Sequence, residues 1–195
     1  MDSLLDESYW NQRYQSGATG WDIGSPSPPL RAYADQLTDK HIRILVPGCG
    51  NGYEVEYLLR QGFTQVTVVD ISSTLTARLE KRLAQWAGKE LQVVHADFFD
   101  LTGQFDLVLE QTFFCALNPS LREKYARHMK SLLAPGGRLA GVWFNRDFEG
   151  GPPFGGNAEE YTQLFAPLFR IAKMAPCYNS IPQREGNELF LVLEA

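Results

Sequence analysis

The run Ile44-Leu45-Val46-Pro47-Gly48-Cys49-Gly50-Asn51-Gly52-Tyr53-Glu54 is the first stretch of this chain whose residue types and spacing can do chemistry. An apolar segment enters a turn with glycine at alternate positions, and a helix-forming segment leaves it. Glycine reaches positive φ without steric cost and lets a ligand approach the backbone, so Gly48 and Gly50 are candidate contacts for a nucleotide-like group. A dinucleotide fingerprint needs a further glycine where Tyr53 stands, and that bulk sits badly with a pyrophosphate on the helix N-terminus. The turn therefore suits a nucleoside cofactor with no phosphate at that point. About twenty residues on, Asp70 closes a second apolar run, where a carboxylate accepts from both ribose hydroxyls. The alternative for Asp70 is a helix cap ahead of Ser72; beside the glycine turn, the ribose role is the stronger reading, with Ile71 next to it. Asp97 and Phe98 follow a third apolar run, placed to bind an adenine amino group and ring face, or else to form a polar turn before core aromatics. Glu110 ends a fourth run, where it either holds a ligand ammonium or faces solvent. Four such features in order favour a common ligand site at one sheet edge.

These residues need strands that end together. Ile42–Val46, Gln65–Val69, Leu91–His95, Phe105–Glu110 and Arg138–Phe144 are short apolar runs and predict strands. Between them, Val55, Leu58 and Leu59 in the segment 54–61 and Leu75, Leu79, Leu83 and Trp86 in the segment 72–86 recur at helical spacing, with Ser72 or Ser73 as N-cap. The segment 121–133 predicts a basic amphipathic helix stopped by Ala134-Pro135-Gly136-Gly137. A short helix over 158–165 and two closing strands, 169–175 and 189–193, complete the chain. Strands alternating with helices imply a parallel sheet covered on both faces, and the closing pair implies a hairpin at one edge. The expected fold is α/β: a Rossmann-like three-layer sandwich with a seven-stranded, mostly parallel sheet and one antiparallel strand near an edge. Residues 1–195 are expected to form one domain, with 1–30 as an N-terminal arm.

Composition bounds the partners. The net charge of −5 argues against a nucleic-acid ligand, which needs a basic face. Cys49, Cys115 and Cys177 are too widely spaced for a disulfide framework or a zinc pair, and His41, His95 and His128 show no metal-ligand spacing, so no metal is expected. The opening MDSLLDESYW lacks a signal-peptide pattern, and no apolar run approaches a membrane span, so a cytoplasmic enzyme with no membrane partner, monomeric or weakly homo-oligomeric, is expected.

The runs VPGCGNGYE, VTVVDIS, HADFFDL, FDLVLEQTFFCAL and LLAPGGRL resemble the class I S-adenosylmethionine-dependent methyltransferases, and within them the thiopurine S-methyltransferase superfamily. Two further stretches resemble its thiol and halide methyltransferase branch: Trp10-Asn11-Gln12-Arg13-Tyr14 with Gly20-Trp21-Asp22-Ile23-Gly24 and Pro26–Leu30, and Gly150-Gly151-Pro152-Pro153-Phe154 with Ile181–Gly186. The likeness spans about Trp10 to Glu188. It implies S-adenosylmethionine as cofactor, an aromatic cap from Trp10, Tyr14 and Trp21, and cofactor contacts at Gly48, Asp70, Asp97, Phe98 and Glu110. For the tryptophans, plain packing of the arm is the alternative. The chain departs from the branch at Phe144, where relatives carry a hydroxyl-bearing ring, at Gln111, often Tyr there, and in the less basic segment 183–187. A small thiol or similar soft nucleophile is the implied acceptor. Gln111, Phe114, Phe144 and Phe154 are candidate pocket walls, and Arg184 a candidate for attracting an anionic nucleophile; core packing and a solvated arginine are the alternatives. No His–carboxylate pair stands out as a base, and a thiol near pKa 8.5 is already a few per cent thiolate at neutral pH. An O- or N-methyltransferase or a non-catalytic S-adenosylmethionine-binding protein would keep every cofactor feature; a nicotinamide oxidoreductase is disfavoured by Tyr53.

Overall fold

The computed structural model describes residues 5–195. Seven strands form one sheet: β1 (Ile44–Pro47), β2 (Val66–Asp70), β3 (Leu91–His95), β4 (Phe105–Gln111), β5 (Leu133–Phe144), β6 (Arg170–Pro176) and β7 (Glu188–Glu194), in the order β3-β2-β1-β4-β5-β7-β6. All neighbours pair in parallel except β7, which runs antiparallel between β5 and β6. The helices are α1 (Glu7–Ser16), α2 (Pro28–Ala34), α3 (Tyr53–Arg60), α4 (Ser73–Arg82), α5 (Phe113–Ala116), α6 (Arg122–Leu132) and α7 (Ala158–Phe165).

Side-chain alternation along the strands makes two cores. Ile44 and Val46 of β1 face one side and pack with Leu30 of α2, Val55 and Leu58 of α3 and Leu75 and Leu79 of α4. Leu45 faces the other side, with Tyr125 and Met129 of α6 and Phe165 of α7. Apolar residues on successive strand positions are what a sheet covered on both faces requires.

The helices differ from expectation at their ends and in the arm. Helix α4 is capped by the Ser72 hydroxyl, which accepts from Leu75 N at 3.1 Å, and it stops at Arg82 rather than Trp86. Leu83 and Trp86 instead turn the chain towards β3, Trp86 N donating to Leu83 O and Leu91 N to Trp86 O. Strand β5 starts at Leu133, before the Pro-Gly-Gly run: Leu133 pairs with Phe105, and Arg138 next pairs with Leu107. Residues 134–137 thus make a bulge within the strand's span rather than a turn outside it. Helix α1 falls in the arm and α2 straddles its end, where no helix was expected. Helix α1 carries a strong cap, with Asp6 accepting from Tyr9 N and Gly17 closing the C-terminus at φ 71°, but buries only Tyr14 and so has no apolar stripe to read.

Candidate active site

In an open α/β sheet, ligands bind at the carboxyl ends of the strands where the strand order reverses. Here that point lies between β1 and β4. The glycine turn leaves β1 there, Asp70 ends β2, Asp97 follows β3, and Gln111 ends β4. Above these ends lies a cavity of about 500 Å³, within the range of small-molecule sites. Its walls include Trp10, Tyr14, Trp21, Gly48, Asp70, Ile71, Asp97, Phe98, Gln111 and Phe144 from the sequence-derived set. A second, narrow cavity of about 60 Å³ shares Trp21, Gly48, Gln111 and Thr112 with it and continues past Asp22, Gly50 and Glu54.

The polar end is built from backbone and carboxylates. Gly48 lies at φ 54°, and a Cβ there would come within 2.1 Å of the Phe113 ring, so no side chain fits. Asp70 is buried; its Oδ1 accepts from Ser72 N at 2.8 Å, and among the described residues it has no salt-bridge partner. Desolvation by that burial lifts its carboxyl pKa to about 6. A buried carboxylate with one backbone donor and no cation beside it, on a cavity wall, fits a ligand bearing hydroxyl donors. Asp97 serves as a turn cap, accepting from Phe99 N at 2.9 Å, and remains exposed on the cavity side of β3. Phe98 lies behind it, buried against Tyr125 and Phe113 with ring centroids 5.6 and 5.1 Å away. The capping and cavity roles of Asp70, Asp97 and Phe98 thus coexist. This set fits an adenosine with free ribose hydroxyls.

Helix α1 closes the cavity from above. Its Asn11 Oδ1 accepts from Ser72 Oγ at 2.6 Å and from Thr74 N at 3.1 Å, while Nδ2 donates to Ser73 Oγ at 3.1 Å. One side chain therefore clamps the arm to the first turn of α4. Arg78 adds a bond to Tyr14 O at 3.1 Å. Trp21 stands edge-on to Trp10 and Tyr14, with centroids 5.5 and 5.9 Å away. Beyond it, Asp22 accepts from the Asn51 amide in the glycine turn, and Glu54 from Ser27 N at 2.8 Å.

Four sequence-derived residues, Glu110, Phe114, Phe154 and Arg184, lie elsewhere; Phe154 lines neither cavity, its N donating to Cys115 O at 2.6 Å, and Gly50 lines only the narrow cavity. Glu110 does not face the ligand space. It is fully buried, accepting from Phe114 N with one oxygen and from Trp143 Nε1 with the other. Desolvation pushes its pKa up to about 8. Gly141 pairs with it across the sheet and leaves it room: a Cβ there would meet Glu110 Oε2 at 3.1 Å and Trp143 Nε1 at 3.2 Å. Phe114 is likewise core, stacked on Trp143 at 4.5 Å. Arg184 is buried, 3.3 Å from Glu188, donating to Trp21 O at 2.6 Å and lying 5.3 Å over the Phe144 ring. Its charge is spent on Glu188 and its donors pin the arm, so it does not reach an acceptor.

The sequence reading missed Asp6, Phe113, Leu117 and Lys124 as cavity walls, and assigned no separate role to Pro152 and Pro153. It also missed Thr112, which lines both cavities at φ 58° and is the one positive-φ residue other than glycine among the described residues. A β-branched residue in that region is an outlier, and nothing in the local sequence announces it.

A family model described as thiopurine S-methyltransferase matches residues 5–189. The chain belongs to the thiopurine S-methyltransferase family. Among its relatives, a probable thiol methyltransferase 2 of Arabidopsis thaliana is 36% identical, the match covering 92% of this chain and 81% of that one. A thiocyanate methyltransferase 1 of the same plant is 29% identical, over 96% and 85%. In fold, the chain is similar to the 1,6-didemethyltoxoflavin-N1-methyltransferase of Burkholderia thailandensis, solved with bound S-adenosylhomocysteine: TM-score 0.76, 22% identity, covering 96% of this chain and 86% of that one. The protein is an S-adenosylmethionine-dependent methyltransferase of this family. No helix among the described residues is long and apolar enough to cross a membrane.

Proposed function

We propose that the protein methylates a small organic thiol, with the adenosine of S-adenosylmethionine against Gly48, Asp70, Ile71, Asp97 and Phe98 and the aromatic cap of Trp10, Tyr14 and Trp21 over the donor sulfur. The observation that carries the acceptor is the 36% identity with a probable thiol methyltransferase over nearly the whole chain. Bound there, S-adenosylmethionine would supply a methyl group on a cationic sulfur for transfer to a sulfur nucleophile, leaving S-adenosylhomocysteine. Aromatic ring faces favour that cation, each by roughly 0.5–2 kcal/mol. Helix α1, clamped by Asn11, excludes water from above and fixes the approach. Asp22 and Glu54 make the narrow cavity acidic, which suits the cofactor's ammonium in place of Glu110.

No histidine lines either cavity among the described residues. The thiol proton leaves to solvent before transfer, consistent with the acidity of thiols. A cytoplasmic, monomeric or weakly homo-oligomeric enzyme with no nucleic-acid partner fits the acidic charge and three buried, unpaired cysteines in a reducing compartment. The test is turnover with S-adenosylmethionine and phenylmethanethiol beside a phenol, a carboxylic acid and an amine of like shape. Methylthioether as the main product is expected; methylation of oxygen or nitrogen in its place refutes the thiol reading and leaves the cofactor site intact.

A further inference from the structure

Resting on the thiol reading, we propose that Gln111 and Thr112 are the acceptor-binding pair, two neutral donors that hold the sulfur at the junction of the two cavities and select an uncharged organic thiol. Four observations converge. Both residues line the wide cavity and the narrow one, so they stand where donor and acceptor must meet. Both are half-buried, and neither the Gln111 amide nor the Thr112 hydroxyl pairs with a protein group among the described residues. A half-buried polar side chain with no protein partner is suited to a ligand's.

The backbone at Thr112 is held in a conformation that a β-branched residue rarely adopts, φ 58° and ψ 3°. Its surroundings enforce it: Thr112 N donates to Val142 O at 3.3 Å, and the buried Glu110 carboxyl accepts from Phe114 N just beyond. A tight turn alone would be served better by glycine, so the side chain has a use that offsets the strain.

The rest of the wall beside this pair is apolar: Phe113, Ala116, Leu117, Phe144 and the two prolines 152 and 153. Charges around the cavity are Asp6, Asp70 and Asp97 against Lys124, whose ammonium lies 4.1 Å over the Phe99 ring. Arg184 is consumed by Glu188 and Trp21. With Asp70 and Asp97 facing the adenosine, only Asp6 and Lys124 remain beside the acceptor, so an acceptor with a permanent negative charge meets no net positive charge from the chain. An apolar thiol enters neutral and gives its S–H proton to water at the cavity mouth; an N–H and an O–H donor then favour the thiolate at the point of transfer.

The test uses Gln111→Leu, Thr112→Val and Thr112→Gly with phenylmethanethiol, mercaptoacetate and thiocyanate. Expected are a loss of kcat/KM for phenylmethanethiol of 10-fold or more in each variant and an S-adenosylmethionine Kd within 2-fold of wild type. Wild-type kcat/KM should favour phenylmethanethiol over the two anions by at least 10-fold. Thr112→Gly separates donor from scaffold: it relieves the strain, so the fold is kept, yet activity falls as far as in Thr112→Val. The acid limb of the kcat–pH profile should also move towards the free thiol's pKa in the Val and Leu variants, which a scaffolding role would not cause. Full activity in Thr112→Gly or Thr112→Val, or a preference for thiocyanate, overturns the proposal while the thiol reading stands. A wild-type protein that binds S-adenosylmethionine and methylates no thiol overturns both.

Discussion

Replacing Glu110 by Gln sets burial against hydrogen bonding at one side chain. The carboxyl is fully buried, and desolvation raises its pKa from the ordinary 4.5 to about 8, although two N–H donors favour the charged form. The folded state therefore keeps a proton that the unfolded chain loses near pH 4.5. The stabilisation is complete below 4.5, declines as pH rises, and is gone above about 8. At about 1.4 kcal/mol per pH unit, roughly 3 kcal/mol is lost between pH 4.5 and 7. Glutamine has nearly the same volume and no titration. Phe114 N and Trp143 Nε1 donate to different oxygens of Glu110, so glutamine sets its NH2 against one of them, and one buried unsatisfied donor costs about 1–3 kcal/mol. Glu110→Gln is thus less stable than wild type at pH 5, and the gap closes by about 3 kcal/mol towards pH 7.5, equivalent to roughly 6–12 °C in Tm. Thermal unfolding of both proteins from pH 5 to 7.5 reads this directly. A gap that is constant or widens with pH would show that the carboxylate is ionised in the fold, its two donors outweighing burial, and the reasoning would be refuted.

The cofactor site makes three further predictions. Asp70→Asn weakens S-adenosylmethionine binding by roughly 10–100-fold, the scale of hydrogen bonds to a charged acceptor; wild-type affinity falls below about pH 6 as Asp70 protonates, and the variant loses that dependence in calorimetric titrations from pH 5 to 8. Trp21→Ala lowers affinity for S-adenosylmethionine more than for neutral S-adenosylhomocysteine, by about 2–30-fold if the ring acts on the cation; equal losses would assign it to packing alone. Asn11→Ala removes three bonds between α1 and α4, so hydrogen exchange in residues 7–16 accelerates about 10-fold or more while the sheet strands stay protected.

Where one short-range preference decides, the sequence is enough. The apolar runs fixed the strand order in the chain, and β3 and α7 occupy the residues their spacing predicts, because period and composition act within a few residues. The glycine turn and Asp70 were legible for the same reason: a sharp turn at a strand end is a local demand, and the strands carry both to one edge. Helix α1 was not legible, since its stability comes from Asn11 reaching across to α4 and from Arg78 of α4 donating back to Tyr14 O, rather than from an apolar stripe of its own. Glu110 was misread for a different reason. A strand buried on both faces does not reveal which side its last carboxylate takes, and only the pairing with Gly141 and the approach of Trp143 opened room inside the core. Arg184 and Glu188 are four residues apart in sequence, but the decisive partner, Trp21 O, is 163 residues away. Thr112 carries no signal at all in its neighbours; its backbone is set by the strand beside it and the carboxyl beneath it. The chain's own residues determined which elements form and in what order, because those choices are local. Tertiary packing decided which polar groups face the cavity, because the partner that claims a buried charge comes from distant sequence.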